Sequence, residues 1–503
     1  MHHVAEFHNS RTNPLLTLLK SKSGEIDPIS FQPIVDKVLD LNQSIENLKD
    51  VQTVRTDIRE TIYGAAGQTY SPSSLSIRSD LSGDAEQLFQ SLKLFVGESN
   101  DSHEGSIQEL SLGGANLIFL TLKLLEFKYQ RERQAIANFL LIEEPEAHLH
   151  THVQKTLFDR IGYSGAQIIY STHSTHISEV SNVQNVNILG RNGKSCEAYQ
   201  PSNGLSPEEI GNIQRYLDAV RSNLLFAKSV LLVEGDAEAI LIHLMVKQVF
   251  GVSLDELGIS LVNIGSTGFS NIAILFHDQR IRRRCAIITD LDAAFMSLMP
   301  LPNDDAEALR MKRKMLGSQV SGAARKLVLD GITAANNWLK PFYAQHTFEV
   351  DFIVCGNTEK VVRAVDDVYV QPATIAQSIA ELRSADVAQA GKRVLAMATY
   401  EGKGWFAILL GKRIDPQTII PPYICRAIIF AHGTFSTELI FNILKYRVIQ
   451  HYSDVVPMTP SLLAFWAKLN LYKIGNIDFN TIRSEANVAL SGDPICAFLG
   501  EML

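Results

Sequence analysis

Short apolar runs that stop at an acidic residue constrain this chain more than any other feature. Val230-Leu231-Leu232-Val233 stops at Glu234, Ile287-Ile288-Thr289 at Asp290, and Phe139-Leu140-Leu141-Ile142 at Glu143 and Glu144. Runs of this length, each followed by residues at helical spacing, specify buried strands alternating with helices. Alternation of that kind builds a mostly parallel α/β sheet, and ligands bind at the carboxyl ends of its strands. Buried strands are expected at 138–144, 166–171, 229–233, 260–264 and 286–289, and a hairpin over 186–199 turning at Asn192-Gly193. Helices are expected at 106–126, 150–161 and 237–250, with a helical link over 207–226. Residues 304–326 are charged and helix-prone, and from about Asp415 the pattern is again mostly helical.

A chain of 503 residues is too long for one ordinary core, so two or three domains are expected. Hydrophobic residues at 46% and charged residues at 20% are the balance of a folded chain and exclude an intrinsically disordered one. No apolar stretch is long enough to span a bilayer and no signal-peptide pattern opens the chain. The five scattered cysteines form no CxxC pair, which argues against a zinc site and fits a reducing cytoplasm, the expected location. A net charge of −8 argues against a passive nucleic-acid coat, which needs a basic surface, but is compatible with clustered metal-binding carboxylates.

The first constellation lies between residues 106 and 176. One carboxylate after the Phe139–Ile142 run can hold Mg²⁺, and the next can orient a water against a γ-phosphate. A second apolar run ends in Ser171-Thr172-His173, whose imidazole can contact that phosphate. Upstream, Leu110-Ser111-Leu112-Gly113-Gly114 leads into a helix and offers backbone N–H groups to an anion. Nothing before Ser106 fits the phosphate loop GxxxxGK[ST]. Gly190-Arg191-Asn192-Gly193-Lys194-Ser195 lacks its first glycine and is read as a turn.

The second constellation is larger. Glu234 and Glu238 are four residues apart, so a helix starting here aims both at one point. Asp290 and Asp292, and again Glu349 and Asp351, are two apart, and in extended chain such pairs face one side. Lys403 stands in Glu401-Gly402-Lys403-Gly404-Trp405-Phe406, where glycines let the backbone approach a ligand. Cutting a phosphodiester calls for an activated water and a stabilised leaving oxygen. Two divalent cations about 4 Å apart do both, and hard cations take oxygen ligands. A lysine beside the scissile phosphate stabilises the added negative charge. One strand-end acid is an ordinary cap or surface charge; the ordered set is not.

In order and spacing, the first set resembles the signature, Walker B strand and switch histidine of ABC-type ATPases, with LSLGG in place of LSGGQ and Glu143 where Asp is usual. The second, Glu-Gly-x-x-Glu, Asp-x-Asp, Glu-x-Asp and Lys-Gly-x-Phe-Ala, resembles the Toprim domain of the OLD (overcoming lysogenisation defect) family, the group that includes the Gabija defence nuclease. The resemblance covers roughly residues 106 to 412. It implies an α/β fold: the C-terminal part of an ABC-type ATPase with a helical arm, then a Toprim α/β domain and a helical C-terminal region. The expected divisions are 1–105 (arm and remainder of the ATPase), 106–222 (ATPase lobe), 223–412 (Toprim, with an insertion near 300–345) and 413–503. It implies ATPase residues Ser111, Gly113, Gly114, Glu143, Glu144 and His173. Metal ligands would be Glu234, Glu238, Asp290, Asp292, Glu349 and Asp351, and catalysis would rest on Lys403, Glu234 and Asp290.

The resemblance further implies Mg²⁺ or Mn²⁺, two per Toprim site, and ATP once a Walker A lobe is supplied, that lobe being expected outside this chain. Partners implied are DNA, a second copy of the chain in a homodimer or higher homo-oligomer, and a companion defence protein such as a helicase or reverse-transcriptase system. The expected function is a metal-dependent DNA endonuclease or nickase regulated by the ATPase, in anti-phage defence. The alternative is a nucleotide-gated sensor or scaffold that binds DNA or a partner without cutting. A topoisomerase or primase would need modules that the sequence lacks. Arg280, Arg282, Arg283 and Arg284, and Arg310, Lys312, Arg313 and Lys314, are expected phosphate contacts.

Overall fold

A computed structural model of the chain describes residues 28–53, 56, 95–96, 105–106, 112–131, 139–160, 167–218, 221–265, 268–302, 304–452 and 457–502. Two compact units divide it, Met1–Ile177 and Ser178–Leu503.

The first unit contains helix α1 (Pro28–Glu46), helix α2 (Leu112–Arg131), strand β1 (Phe139–Glu143), helix α3 (Thr151–Arg160) and strand β2 (Gln167–Ser171). The helix expected from Ser106 starts at Leu112, and Gly105–Ser106 instead pairs with Phe95–Val96. Strands β1 and β2 are parallel, with Glu143 opposite Ser171. They were expected to be buried on both faces. The structure buries only one: Phe158 of α3 packs on Tyr170, while Phe139 is 60% and Leu141 73% exposed. Alternating exposure along both strands is the pattern of a sheet covered from one side.

The second unit opens on the expected hairpin, β3 (Ile188–Asn192) and β4 (Ser195–Tyr199). Its two turn residues are Gly193 and Lys194, one position later than expected, with Gly193 at φ 58°. Helix α4 (Pro207–Tyr216) follows a capping box in which Ser206 and Glu209 satisfy each other's backbone N–H. The unit starts at Ser178. Ile188, Ile213 and Leu217 share a core with Val230 and Leu232.

That sheet has four parallel strands in the order β8-β7-β5-β6: β5 (Ser229–Val233), β6 (Ile259–Asn263), β7 (Cys285–Asp290) and β8 (Leu339–Ala344). Every residue of β5 and β7 is buried, the reason their sequences read as unbroken apolar runs. Val230, Leu232, Cys285 and Ile287 face one core; Leu231, Val233, Ala286 and Ile288 face the other. Strand β8 was not foreseen. It carries Lys340 and Pro341, and an edge strand tolerates a proline because one side of its backbone is unpaired.

Between the strands run α5 (Asp236–Phe250) and α6 (Ala306–Thr333), which lies in the segment read as an insertion, and the short α7 (Phe348–Phe352) follows β8. After further helices over 358–401 come α8 (Lys403–Gly411), α9 (Pro422–His432), α10 (Thr437–Gln450), α11 (Pro460–Lys473), α12 (Phe479–Ala489) and α13 (Pro494–Glu501). Residues 413–503 form no separate body: α9 lies on β5, β7 and β8, and Ile428, Leu444, Phe465 and Phe498 belong to the core of Leu231 and Ile288. Arg447, 0% exposed, ties this part together by donating to Asp493 and to the carbonyls of Val249 and Pro416.

Candidate active site

Strands β5 and β7 are neighbours, but the chain reaches β7 only after forming β6 on the far side of β5. The connections diverge between β5 and β7, and the carboxyl ends there frame a crevice where α/β sheets bind ligands. Glu234 follows β5, Asp290 ends β7, and Glu349 lies just beyond β8. Three adjacent strands thus deliver three acids to one edge.

Glu238 joins them from the first turn of α5. Gly235 caps this helix, and the Glu238 carboxylate folds back so closely that a Cβ on Gly235 would meet Oε2 at 3.3 Å. The helix dipole favours a negative charge in that turn, yet burial dominates. It pushes the Glu238 carboxyl up to about 7, with Glu349 and Glu234 adding to it and Lys403 opposing. Asp290, 8% exposed, is raised well above the carboxylate range by burial and then by Glu238, Glu234 and Glu349. Thr289 Oγ1 donates to Glu234 Oε2 at 2.9 Å, and Phe348 N to Asp290 Oδ2 at 3.3 Å.

Lys403 is the first residue of α8, and its Nζ lies 3.4 Å from Glu349 Oε1. Burial lowers its pKa, but Glu349, Asp290 and Glu238 outweigh this and hold it above the usual lysine value. The ammonium therefore stays charged at any physiological pH. Glu349 is 3% exposed and its Oε2 is buried with no hydrogen-bond partner among the described residues. A buried carboxylate oxygen without a donor is costly, and a cation is the natural complement.

The two i,i+2 expectations fail locally. Asp292 is not extended: its φ is 53°, a left-handed conformation that Asp tolerates better than most residues. It turns toward α6, where Arg325 Nη2 lies 3.3 Å from its Oδ2. Glu349 and Asp351 sit in helix α7, where residues two apart diverge. Asp351 accepts from the backbone N–H groups of Gln345 (2.7 Å) and His346 (3.2 Å), which makes it a loop anchor. Burial still raises its pKa, with His346 and those bonds opposing.

Sequence reasoning missed Thr289, Arg325 and Tyr423. The last, on α9, has a buried hydroxyl without a partner among the described residues and a phenol pushed far up by burial and then by Asp290, Asp351 and Glu238. None of the three sits in a recurring motif.

The donor set suits hard divalent cations in kind and charge: several carboxylates with a single lysine and one arginine among them. As arranged, no three His, Cys, Asp or Glu among the described residues are grouped to hold a metal ion. Ligation would require carboxylates such as Asp292 to leave their present partners.

The arginine run before β7 does not belong to the site. It lies at the amino end of the strand, and the acids lie at the other. Arg280 donates to Ile274 O and Asn203 O, Arg282 to Asp278 O and Glu197, Arg283 to Leu225 O and Ala227 O, and Arg284 to Phe430 O. These guanidiniums staple loops. In α6, Lys312 is buried against Asp304 (2.5 Å) and Met299 O (2.9 Å), while Arg310, Arg313 and Lys314 are exposed.

In the first unit, Glu143 ends β1 and Glu144 follows at φ 42°. His173 Nε2 lies 3.8 Å from Glu144 Oε1, and His173 N donates to Glu146 Oε1 at 2.7 Å. Gly113 and Gly114 occupy the first turn of α2, and Asn116 Nδ2 joins this helix to Ala147 O at 2.5 Å. Ser111 lies outside the described residues. The side chains of His173 and Glu144 are 84% and 59% exposed.

Comparison with known proteins gives two family matches. Residues 10–178 match the AAA ATPase domain, and residues 225–292 match the Toprim domain of overcoming lysogenization defect protein-like proteins. Among solved structures, the C-terminal region of the Burkholderia pseudomallei OLD protein is 23% identical, covering 41% of this chain and 98% of that one at a TM-score of 0.31. The C-terminal region of the Xanthomonas campestris pv. campestris OLD protein is 20% identical, covering 45% and 99% at a TM-score of 0.29. No curated protein matches the chain. An ATPase domain precedes a Toprim domain, and these domain types go with ATP, divalent metal and nuclease chemistry. No helix among the described residues is long and apolar enough to cross a membrane.

Proposed function

We propose that this chain, an ATPase/Toprim protein of the OLD family, cuts or nicks DNA with two divalent cations, Mg²⁺ or Mn²⁺, under the control of its ATPase domain. The observation that carries this reading is the gathering of Glu234, Glu238, Asp290 and Glu349 at the switch point of a parallel sheet, beside a lysine that Glu349, Asp290 and Glu238 keep charged. These four acids would hold the cations, with Asp292 once it leaves Arg325. When bound, the cations supply Lewis-acid stabilisation of the attacking and leaving oxygens. Lys403 Nζ would face the phosphate and balance the charge that builds up as the bond breaks. Asp351 and Thr289 would keep the loops and Glu234 in place.

On the ATPase side, Glu143 would hold the nucleotide's Mg²⁺, Glu144 would orient the attacking water, and His173 would sense the γ-phosphate. Ser111, Gly113 and Gly114 would bind nucleotide phosphate across a homodimer or larger assembly. A role in anti-phage defence, and a companion helicase or reverse-transcriptase system, follow from the family alone.

Supercoiled plasmid incubated with the purified chain tests the reading. We expect nicked or linear product with Mg²⁺ or Mn²⁺ and none in chelator, and no product from Asp290→Ala. An Asp290→Ala variant that cuts like the parent would remove the site assignment. A second reading, a DNA- or partner-binding scaffold that does not cut, is favoured by the absence of a ready metal-ligand group among the described residues. DNA binding without cation-dependent product would select it.

A further inference from the structure

Helix α6 touches the loop after β7 along one face. A Cβ on Gly322 would lie 2.1 Å from Leu291 O, so glycine alone allows the helix backbone to rest on the loop between Asp290 and Asp292. One turn earlier, Gln319 Oε1 accepts from Ala294 N at 2.9 Å. One turn later comes Arg325, and Leu329, 2% exposed, anchors the next turn in the core. Spacings of three and four residues put all four on one face.

Arg325 Nη2 donates to Asp290 O, lies 3.3 Å from Asp292 Oδ2 and 3.9 Å from Glu234 Oε2. Its side chain is 12% exposed, and its Nε is buried with no hydrogen-bond partner among the described residues. Arg447 shows what an arginine built only for structure looks like: its Nε, Nη1 and Nη2 all have partners. Arg325 is half-buried, held by α6 against two acids, and incompletely satisfied.

We infer that Arg325 is an intramolecular competitor for divalent cation, occupying Glu234 and Asp292 when no cation is bound and yielding them when one binds. The inference rests on the cation-site reading above. A guanidinium within about 4 Å of both carboxylates opposes a second positive charge there, and the low dielectric of a half-buried site strengthens the effect. It also holds Asp292 toward α6 and away from the other acids, which accounts for a carboxylate-rich site with no ready ligand group.

The test is Mn²⁺ titration calorimetry of the full chain, comparing parent, R325Q, R325K and D290N, with circular dichroism as the check on folding. R325Q should bind Mn²⁺ about tenfold more tightly than the parent and melt at a lower temperature in chelator. R325K keeps the charge but not the planar fork and should bind about threefold more tightly. A folded R325Q that binds Mn²⁺ equally or more weakly overturns the inference. Should R325Q not fold, R325K decides: tighter binding supports competition, and unchanged or weaker binding overturns it. Parent binding that D290N removes upholds the cation site itself, so an unresponsive Arg325 series would then fail alone. Absence of Mn²⁺ binding in both parent and variants would take down the site reading and this inference together.

Discussion

The two acidic strand ends of this chain, Glu143-Glu144 and Glu234 with Asp290, look alike in sequence and differ in three dimensions. Glu238, Asp290 and Glu349 are each at most 9% exposed, at the carboxyl edge of a sheet whose central strands are buried on both faces. Glu144 and His173 are mostly exposed, on a two-stranded sheet with one open apolar face. Burial turns a group of acids into a strained site, because removal from water disfavours each charged carboxylate and the low dielectric magnifies the repulsion of its neighbours. In the open element the same residue types remain ordinary surface groups until something encloses them. Burial thus separates the two regions where motif quality does not.

The largest effect that would sharpen this contrast is at Lys403. If its charge acts on the transition state, Lys403→Ala should lose about a hundredfold in single-turnover cleavage while DNA affinity changes by less than about threefold. Lys403→Arg should recover only part of the rate. Equal losses in rate and affinity would make Lys403 a binding residue and blur the distinction.

Next in size is the cost of burying Glu238. Its folded-state pKa of about 7 exceeds the ordinary 4.5, so the folded protein holds this proton more tightly. In chelator, that contribution should be fully present below pH 4.5 and lost as pH rises through 7. At pH 8, Glu238→Gln should therefore be more stable than the parent by up to about 3 kcal/mol, and no more stable at pH 4. Denaturant melts at the two pH values measure it. A variant destabilised at both would mean that the carboxylate is comfortable where it lies.

The arginine run offers a smaller effect. Because Arg282 is bound to Asp278 O and Glu197 at the amino end of β7, Arg282→Ala should alter DNA affinity and its salt slope by less than about twofold. A fall in the slope by about one unit would return this residue to the DNA interface.

The smallest expected signal comes from the open element itself. The sequence contains no GxxxxGK[ST], so residues 1–503 should hydrolyse ATP at background rate, and Glu144→Gln should leave that rate unchanged. Turnover that Glu144→Gln abolishes would make the two regions equally complete and require another phosphate site.

Legibility followed local physics. The strands β5 and β7 could be read because burial on both faces demands an unbroken apolar run, and Glu234 and Asp290 could be read because each closes one. The edge strand β8 was hidden by Lys340 and Pro341, which only an edge accommodates. Glu349 and Asp351 were noticed, but spacing of two has one meaning in a strand and the opposite in the five-residue helix α7. The arginine run looked basic in sequence, while its bonds tie up loops, several of them through backbone carbonyls more than 50 residues away.

By itself, the sequence determined the alternation of strands and helices, the hairpin at Gly193, the caps and the list of acids and lysine able to meet, since each depends on neighbours within a few residues. Tertiary structure alone decided which of them meet. It set the strand order 8-7-5-6 that puts Glu234 beside Asp290, turned Asp351 onto backbone, and brought Arg325 across 33 residues to Asp292. Such contacts depend on how the sheet is ordered and how closely α6 rests on Leu291, and no local pattern records either.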